Sequence, residues 1–193
     1  MSSSAPTLNL PPNRSLTVTV TPAPRRLGLS VAILKRPPRS TMVGLALVAT
    51  TLVVCLGEVA VPVLGTAQLD TVYKFASGGF LLGYILLQWN LFAHREKNEQ
   101  PALMAKWYRR HKLLGAFAPV AFLLHTLSFG TALLLLLSAT FLIVVTCGFL
   151  NRDLLNIQSR RFWQAWTVFH VGSAFALYAL IALHVWTALS FHA

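Results

Sequence analysis

Acidic residues are scarce in this sequence: five Asp and Glu stand against 16 Lys and Arg in 193 residues. Charged residues of both signs make up only 11%, where a soluble domain carries about a quarter. That shortage excludes a water-soluble enzyme domain of ordinary type. A hydrophobic content of 55% with a mean hydropathy of +0.63 excludes a disordered chain. Cysteine is nearly lacking as well. Cys55 and Cys147 lie in separate apolar runs, and no disulfide framework follows from them. The opening residues carry no apolar stretch with a small-residue cleavage site, so no secretory signal is read there.

What is present is long apolar runs and basic charge. Residues 1–41 form a tail rich in Pro, Ser, Thr and Arg that ends in the basic cluster Lys35-Arg36-Pro37-Pro38-Arg39. An alternating stretch from Ser15 to Thr21 has strand character, but a solvated tail is the preferred reading. Five runs follow, near Met42–Leu64, Val72–Ala93, Leu113–Phe129, Thr131–Leu150 and Trp163–Leu189. Each approaches the ~20 residues needed to cross a ~30 Å hydrocarbon core. The third reaches that length if its helix begins near Trp107, and Gly130 is the turn expected between the third and fourth. The expected fold is therefore all-α: a polytopic membrane helical bundle of about five spans, residues 42–193 forming the transmembrane domain.

Charge sets the expected orientation. With five alternating spans, the tail, the 95–112 connection and the 151–161 connection share one side and hold every basic residue except Lys74. The positive-inside rule then puts the N-terminus in the cytoplasm and the C-terminus outside. The same asymmetry accounts for a formal charge of +11. The lipid bilayer is the partner it implies, and no nucleic acid is needed.

Four of the six histidines form a pattern. His111 and His125 stand fourteen positions apart in the third run, and His170 and His184 fourteen apart in the fifth. Fourteen helical positions return to within about 40° of the starting direction and rise about 21 Å. The third and fifth spans run parallel, so the spacing stacks two facing pairs: His111 with His170 on the cytoplasmic side, His125 with His184 on the outer side. An imidazole pair from two helices is what six-coordinate haem iron requires, and helical bundles hold such groups in their interiors. Ionisable residues inside a membrane mark function by default. Zinc fits less well, because pairs about 21 Å apart cannot gather four ligands on one ion. The expected cofactors are two haem b groups with these four histidines as axial ligands to the iron.

The flanking residues fit that expectation. Arg109, Arg110, Lys112, Arg160 and Arg161 adjoin the inner pair, where haem propionates call for cations. Gly115 leaves room for a flat macrocycle beside His111. Phe117, Phe122, Phe175 and Tyr178 lie between the two levels as packing, and Pro119 bends the third span. Because Arg110 adjoins His111 whereas Arg161 precedes His170 by nine residues, the two inner histidines are level only if the last helix starts below the bilayer surface. If they are not level, His94 competes as inner ligand. Glu58 is the one acid inside a run, placed near the outer pair as a proton carrier for quinone or as a protonated partner of a neighbouring helix. His192 near the C-terminus is expected to be solvated.

The stretch Tyr108-Arg-Arg-His-Lys-Leu-Leu-Gly115, with Leu124-His125-Thr126, Phe169-His170 and Leu183-His184, resembles the ferric reductase-like transmembrane domain. The paired spacing is also similar to that of the di-haem cytochrome b family. The resemblance spans roughly 107–192. It implies electron transfer through two stacked haems, from a cytoplasmic-side donor to an outer-side acceptor such as ferric iron, oxygen or a redox protein. The setting it implies is the plasma membrane or a bacterial inner membrane. Members of the reductase family usually carry six spans followed by a flavin and nicotinamide domain. Here no G-x-G-x-x-G loop occurs, so the expected donor is a separate protein or quinol, and the chain is at most one component of an oxidoreductase. Two other readings stay open: a haem-bearing anchor subunit that exchanges electrons with quinone for a partner enzyme, and a transporter whose histidines relay protons.

Overall fold

The computed structural model describes residues 37–96, 100–152, 154–155 and 157–191. Ser15 to Thr21, most of the basic tail and His192 lie outside the described residues. Among those described, every regular element is helical. They are α1 (Arg39–Leu56), α2 (Pro62–Ala67), α3 (Thr71–Leu87), α4 (Asn90–Glu96), α5 (Pro101–His125), α6 (Leu133–Phe149) and α7 (Arg160–Phe191).

Local chemistry fixes most of these boundaries. Pro62 and Pro101 open α2 and α5, where the missing N–H is not needed. Asp70 caps α3, its carboxylate accepting from the Tyr73 N–H at 2.8 Å. The first apolar run extends to Leu64, but α1 stops at Leu56. Gly57 follows, and Glu58 takes a left-handed φ of 49°. The second run bends at Gln88 and Trp89, whose N–H groups bond three residues back rather than four. The turn between α5 and α6 passes through Gly130 at φ 66° and Ala132 at φ 49°, so the expected glycine is there with a second left-handed residue beside it.

Among the described residues three helices are long and apolar enough to cross a membrane: Arg39–Leu56, Thr71–His94 (which joins α3 to α4) and Arg160–Phe191. The helix Leu133–Phe149 is apolar but shorter. α5 has the length, at 25 residues, and carries four cations in its first half. Large apolar side chains lie bare on the outside of these helices, Val168 at 73% and Trp186 at 70% exposure among them. Such a surface is untenable in water and ordinary against lipid.

The core lies between α1, α3, α5 and α6. α1 packs on α5 and α6, α3 and α4 pack on α5, and α6 packs on both α5 and α7. One cluster joins Val48, Ala116 and Phe149; another joins Cys55, Ile85, Ala118, Phe122, Phe141, Leu142 and Leu177. Phe122 stacks on Phe141 at 5.0 Å, and the Tyr178 hydroxyl donates to the Ile85 carbonyl at 3.0 Å. Both are thus packing residues, as the sequence suggested. Gly44 is where α1 meets α6: a Cβ there would collide with the Phe149 ring. α5 and α7 have no comparable packing with each other. They face one another across a gap that α6 closes on one side.

Candidate functional site

The gap between α5 and α7 holds both histidine pairs. The rings of His111 and His170 have centroids 6.4 Å apart with planes at 86°, and those of His125 and His184 are 6.3 Å apart with planes at 68°. Two imidazoles binding one ion from opposite sides, each nitrogen about 2 Å from it, have centroids about 6.3 Å apart. Both pairs stand at that separation, and all four rings are partly buried.

The two inner histidines are level because both helices start well before them. Pro101 opens α5 ten residues before His111, and Arg160 opens α7 ten residues before His170. His94 does not compete as a ligand. It stacks on Trp107 at 3.9 Å, one helical turn before His111, and Arg110 lies 4.8 Å from the same indole.

A cavity of about 620 Å³ adjoins the inner pair. It is lined at helical spacing by His111, Gly115 and Ala118 of α5, by Phe141, Val144, Val145 and Gly148 of α6, and by His170, Ala174 and Tyr178 of α7, with Gln88 and Trp89 opposite. That volume lies within the range of cofactor and ligand sites. A Cβ on Gly115 would meet nothing within 4 Å, so the approach to His111 is open. On α6, a Cβ on Gly148 would lie 3.4 Å from Cε1 of His170. Trp166 stacks beside His170 at 5.3 Å and donates from Nε1 to the Cys147 carbonyl at 3.2 Å. Nδ1 of His170 is buried with no hydrogen-bond partner of good geometry among the described residues.

The cations divide differently from the sequence expectation. Lys112 lines the cavity, whereas Arg109, Arg110 and Arg161 are exposed and do not. Adjacency along the chain placed all of them near His111 and His170; helical phase turns the arginines away. Glu58 is likewise not inside a helix. It occupies the exposed turn after α1, so the support it offered for a buried proton carrier is gone.

The outer pair is held at the end of α5. Terminal carbonyls of a helix lack intrahelical partners, and here side chains from the α2–α3 region satisfy them. Gln68 donates to the Leu123 carbonyl at 3.0 Å and accepts from the Leu127 N–H at 3.1 Å, while the Tyr73 hydroxyl donates to the Leu124 carbonyl at 2.8 Å. His125 then rests on Gly78, where a Cβ would lie 3.0 Å from its Cε1, and its Nδ1 is 3.2 Å from Oγ of Ser77. Sequence reasoning missed Ser77, Gly78, Gln88 and Gly148. The available signal was small or polar residues interrupting apolar runs.

Among the described residues no three of His, Cys, Asp or Glu come together as a metal site. The imidazoles come in two pairs, His111 with His170 and His125 with His184, so a metal there would need further ligands of its own. Comparison with known proteins gives no match to a family model, a characterised protein or a solved structure.

Proposed function

We propose that this chain is a five-span membrane cytochrome that carries electrons across the bilayer through two b-type haems. His111 and His170 hold the inner haem, and His125 and His184 the outer. The observation that carries the reading is the matched ring separation, 6.4 and 6.3 Å, in two pairs on parallel helices. One such pair is a packing accident in many bundles. Two at the same separation, on helices that pack on each other far less than on α6, support a group held between them.

The chain's own residues supply position and environment. α5 and α7 present the imidazoles, α6 backs them, and Gly115 and Gly148 keep bulk away from the rings. Lys112 faces the inner cavity, where a propionate needs a cation. When bound, haem contributes one-electron redox chemistry, and the bundle contributes ligation, orientation and low dielectric. The N-terminus lies in the cytoplasm and the C-terminus outside, in a plasma membrane or bacterial inner membrane. α1, the joined α3–α4, α5, α6 and α7 form the five spans. The donor is a separate cytoplasmic-side protein or quinol and the acceptor lies outside, as in the ferric reductase-like domains that residues 107–192 resemble.

A dithionite-reduced minus oxidised visible spectrum of the purified protein, with haem quantified per chain, tests this directly. Low-spin b-type bands at about two haems per chain are expected from the two paired sites. His170→Ala and His125→Ala should each remove one or both. A colourless protein from haem-replete cells, or unchanged haem content in those variants, would overturn the proposal and leave proton relay as the use of the histidines.

A further inference from the structure

α3 runs antiparallel to α5 and meets both of its histidines with a polar side chain. Near its start Ser77 lies against His125, and at its C-terminal cap Gln88 lies against His111. In each case the atom engaged is Nδ1, which leaves Nε2 as the remaining ring nitrogen. We propose that Ser77 and Gln88 are positioning residues: they hold the two α5 imidazoles by Nδ1, so that Nε2 of each is presented to iron. This inference rests on the bis-histidine haem reading above.

Ser77 has one proton to share between two neighbours. A serine hydroxyl has a single proton to donate. Oγ of Ser77 lies 3.2 Å from the Lys74 carbonyl, which only accepts, and 3.2 Å from Nδ1 of His125, which donates or accepts according to its tautomer. Both contacts are hydrogen bonds at once only when the hydroxyl donates to the carbonyl and accepts from Nδ1–H of His125, the arrangement in which Nδ1 carries the ring proton. A neutral imidazole protonated at Nδ1 has its lone pair on Nε2, the tautomer a metal requires. Ligating histidines characteristically donate their other N–H to such a partner, which fixes ring orientation and raises basicity.

At Gln88 the same contact has two settings. The amide fits its surroundings with the nitrogen donating to Nδ1 of His111 at 2.8 Å and to the His111 carbonyl at 3.3 Å, and with the oxygen accepting from the Gly115 N–H at 3.0 Å. Rotated by half a turn, the oxygen accepts from an Nδ1–H across the same 2.8 Å. Amide orientation follows the proton, and iron on Nε2 of His111 requires the second setting, in which the amide nitrogen faces the Gly115 N–H and gives up the bonds to Gly115 and to the His111 carbonyl. Ser77 therefore favours the ligating tautomer at the outer histidine, whereas at the inner one Gln88 donates to Nδ1 and must turn over for Nε2 to ligate.

The test uses the full-length protein purified with its haem and four variants: Ser77→Ala, Ser77→Thr, Gln88→Leu and Gln88→Glu. Haem retention, redox midpoints and the low-spin electron paramagnetic resonance signal are measured for each. Inner and outer signals are assigned from His170→Ala and His184→Ala. Loss of a partner behind a ligating histidine typically weakens binding about 10- to 100-fold. A tenfold loss confined to the ferric state converts to about 59 mV in the midpoint of that haem. Ser77→Ala should move the outer haem alone, with Ser77→Thr restoring it. Gln88→Leu should move the inner haem upward, and Gln88→Glu should move it the opposite way. Two haems in the wild type with all four variants unchanged would overturn the positioning role and leave the bis-histidine reading intact. Absence of haem from the wild type would overturn both. Nitrogen-15 shifts of His125 in the haem-free protein give a second readout, expected to show Nδ1–H in the wild type and a mixture in Ser77→Ala. A mixture already present in the wild type would overturn the role of Ser77.

Discussion

Glycine, the smallest residue, separates the two histidine sites most sharply. At Gly78 the space is already taken: a Cβ would sit 3.0 Å from Cε1 of His125 and 3.5 Å from its Nδ1. Gly78→Ala should displace that ring and release the outer haem while sparing the inner one, measured as haem per chain falling from two toward one. At Gly115 the space is open, with nothing within 4 Å of a new Cβ. Replacing a helical glycine by alanine favours the helix by about 0.8–1 kcal/mol. Gly115→Ala should therefore leave the protein as stable as before or more so, and yet lower occupancy of the inner haem. Thermal unfolding of the haem-free protein together with haem titration checks both halves. A variant that binds haem normally would show that the cavity beside Gly115 is not the haem's. Gly115 was legible in the sequence, because it follows His111 by one helical turn. Gly78 was not, because nothing in the chain's local order says that α3 will lie against His125.

Among elements, α5 depends most on its neighbours. Its first half is too charged to be recognised as a span, and Pro119 interrupts its hydrogen bonding. Near that proline the Leu114 carbonyl accepts from the Tyr84 hydroxyl at 2.7 Å, which ties α3 to α5 one residue from the Gly115 carbonyl that Pro119 leaves without its helical donor. The far end is closed by Gln68 and Tyr73. Gln68→Ala leaves part-buried backbone groups without partners and should cost about 1–3 kcal/mol, seen in detergent unfolding and as looser retention of the outer haem. α1 meets α6 through Gly44, where the Phe149 ring fills the place of a side chain. Gly44→Ala gains in helix propensity but overpacks a buried ring, and the second effect is larger, about 1–3 kcal/mol. The expected result is a less stable protein. An unchanged midpoint of unfolding would mean that Phe149 has somewhere else to go.

Across the whole molecule the decisive quantity is the distribution of charge. Basic residues gather on the tail, in the first half of α5 and around the start of α7, while the turn after α1 carries Glu58. If five helices cross, the basic helix ends and the turn at Glu58 face opposite compartments. Glu58→Cys should react with a membrane-impermeant maleimide from outside intact cells, and Arg152→Cys only after permeabilisation. The native cysteines, Cys55 and Cys147, are both buried and should stay silent. Reversed labelling would overturn the orientation, and same-side labelling would overturn the number of crossings between them.

Helix positions, the stacked pair spacing and the basic asymmetry were legible in the sequence because each depends on local order along one chain: hydropathy over about 20 residues, a helical repeat, the sign of a loop. Tertiary structure decided what depends on contact between distant segments. α1 ends at Leu56 although the apolar run continues, because backbone geometry at Gly57 and Glu58 outweighs hydropathy. The arginines beside His111 and His170 turn outward, and Lys112 alone of that group turns to the cavity, because helical phase rather than adjacency sets which side chains face inward. The partners behind the α5 histidines, Ser77 and Gln88, come from a helix more than twenty residues earlier in the chain. Only the antiparallel packing of α3 on α5 brings those hydrogen-bonding groups within reach of the rings.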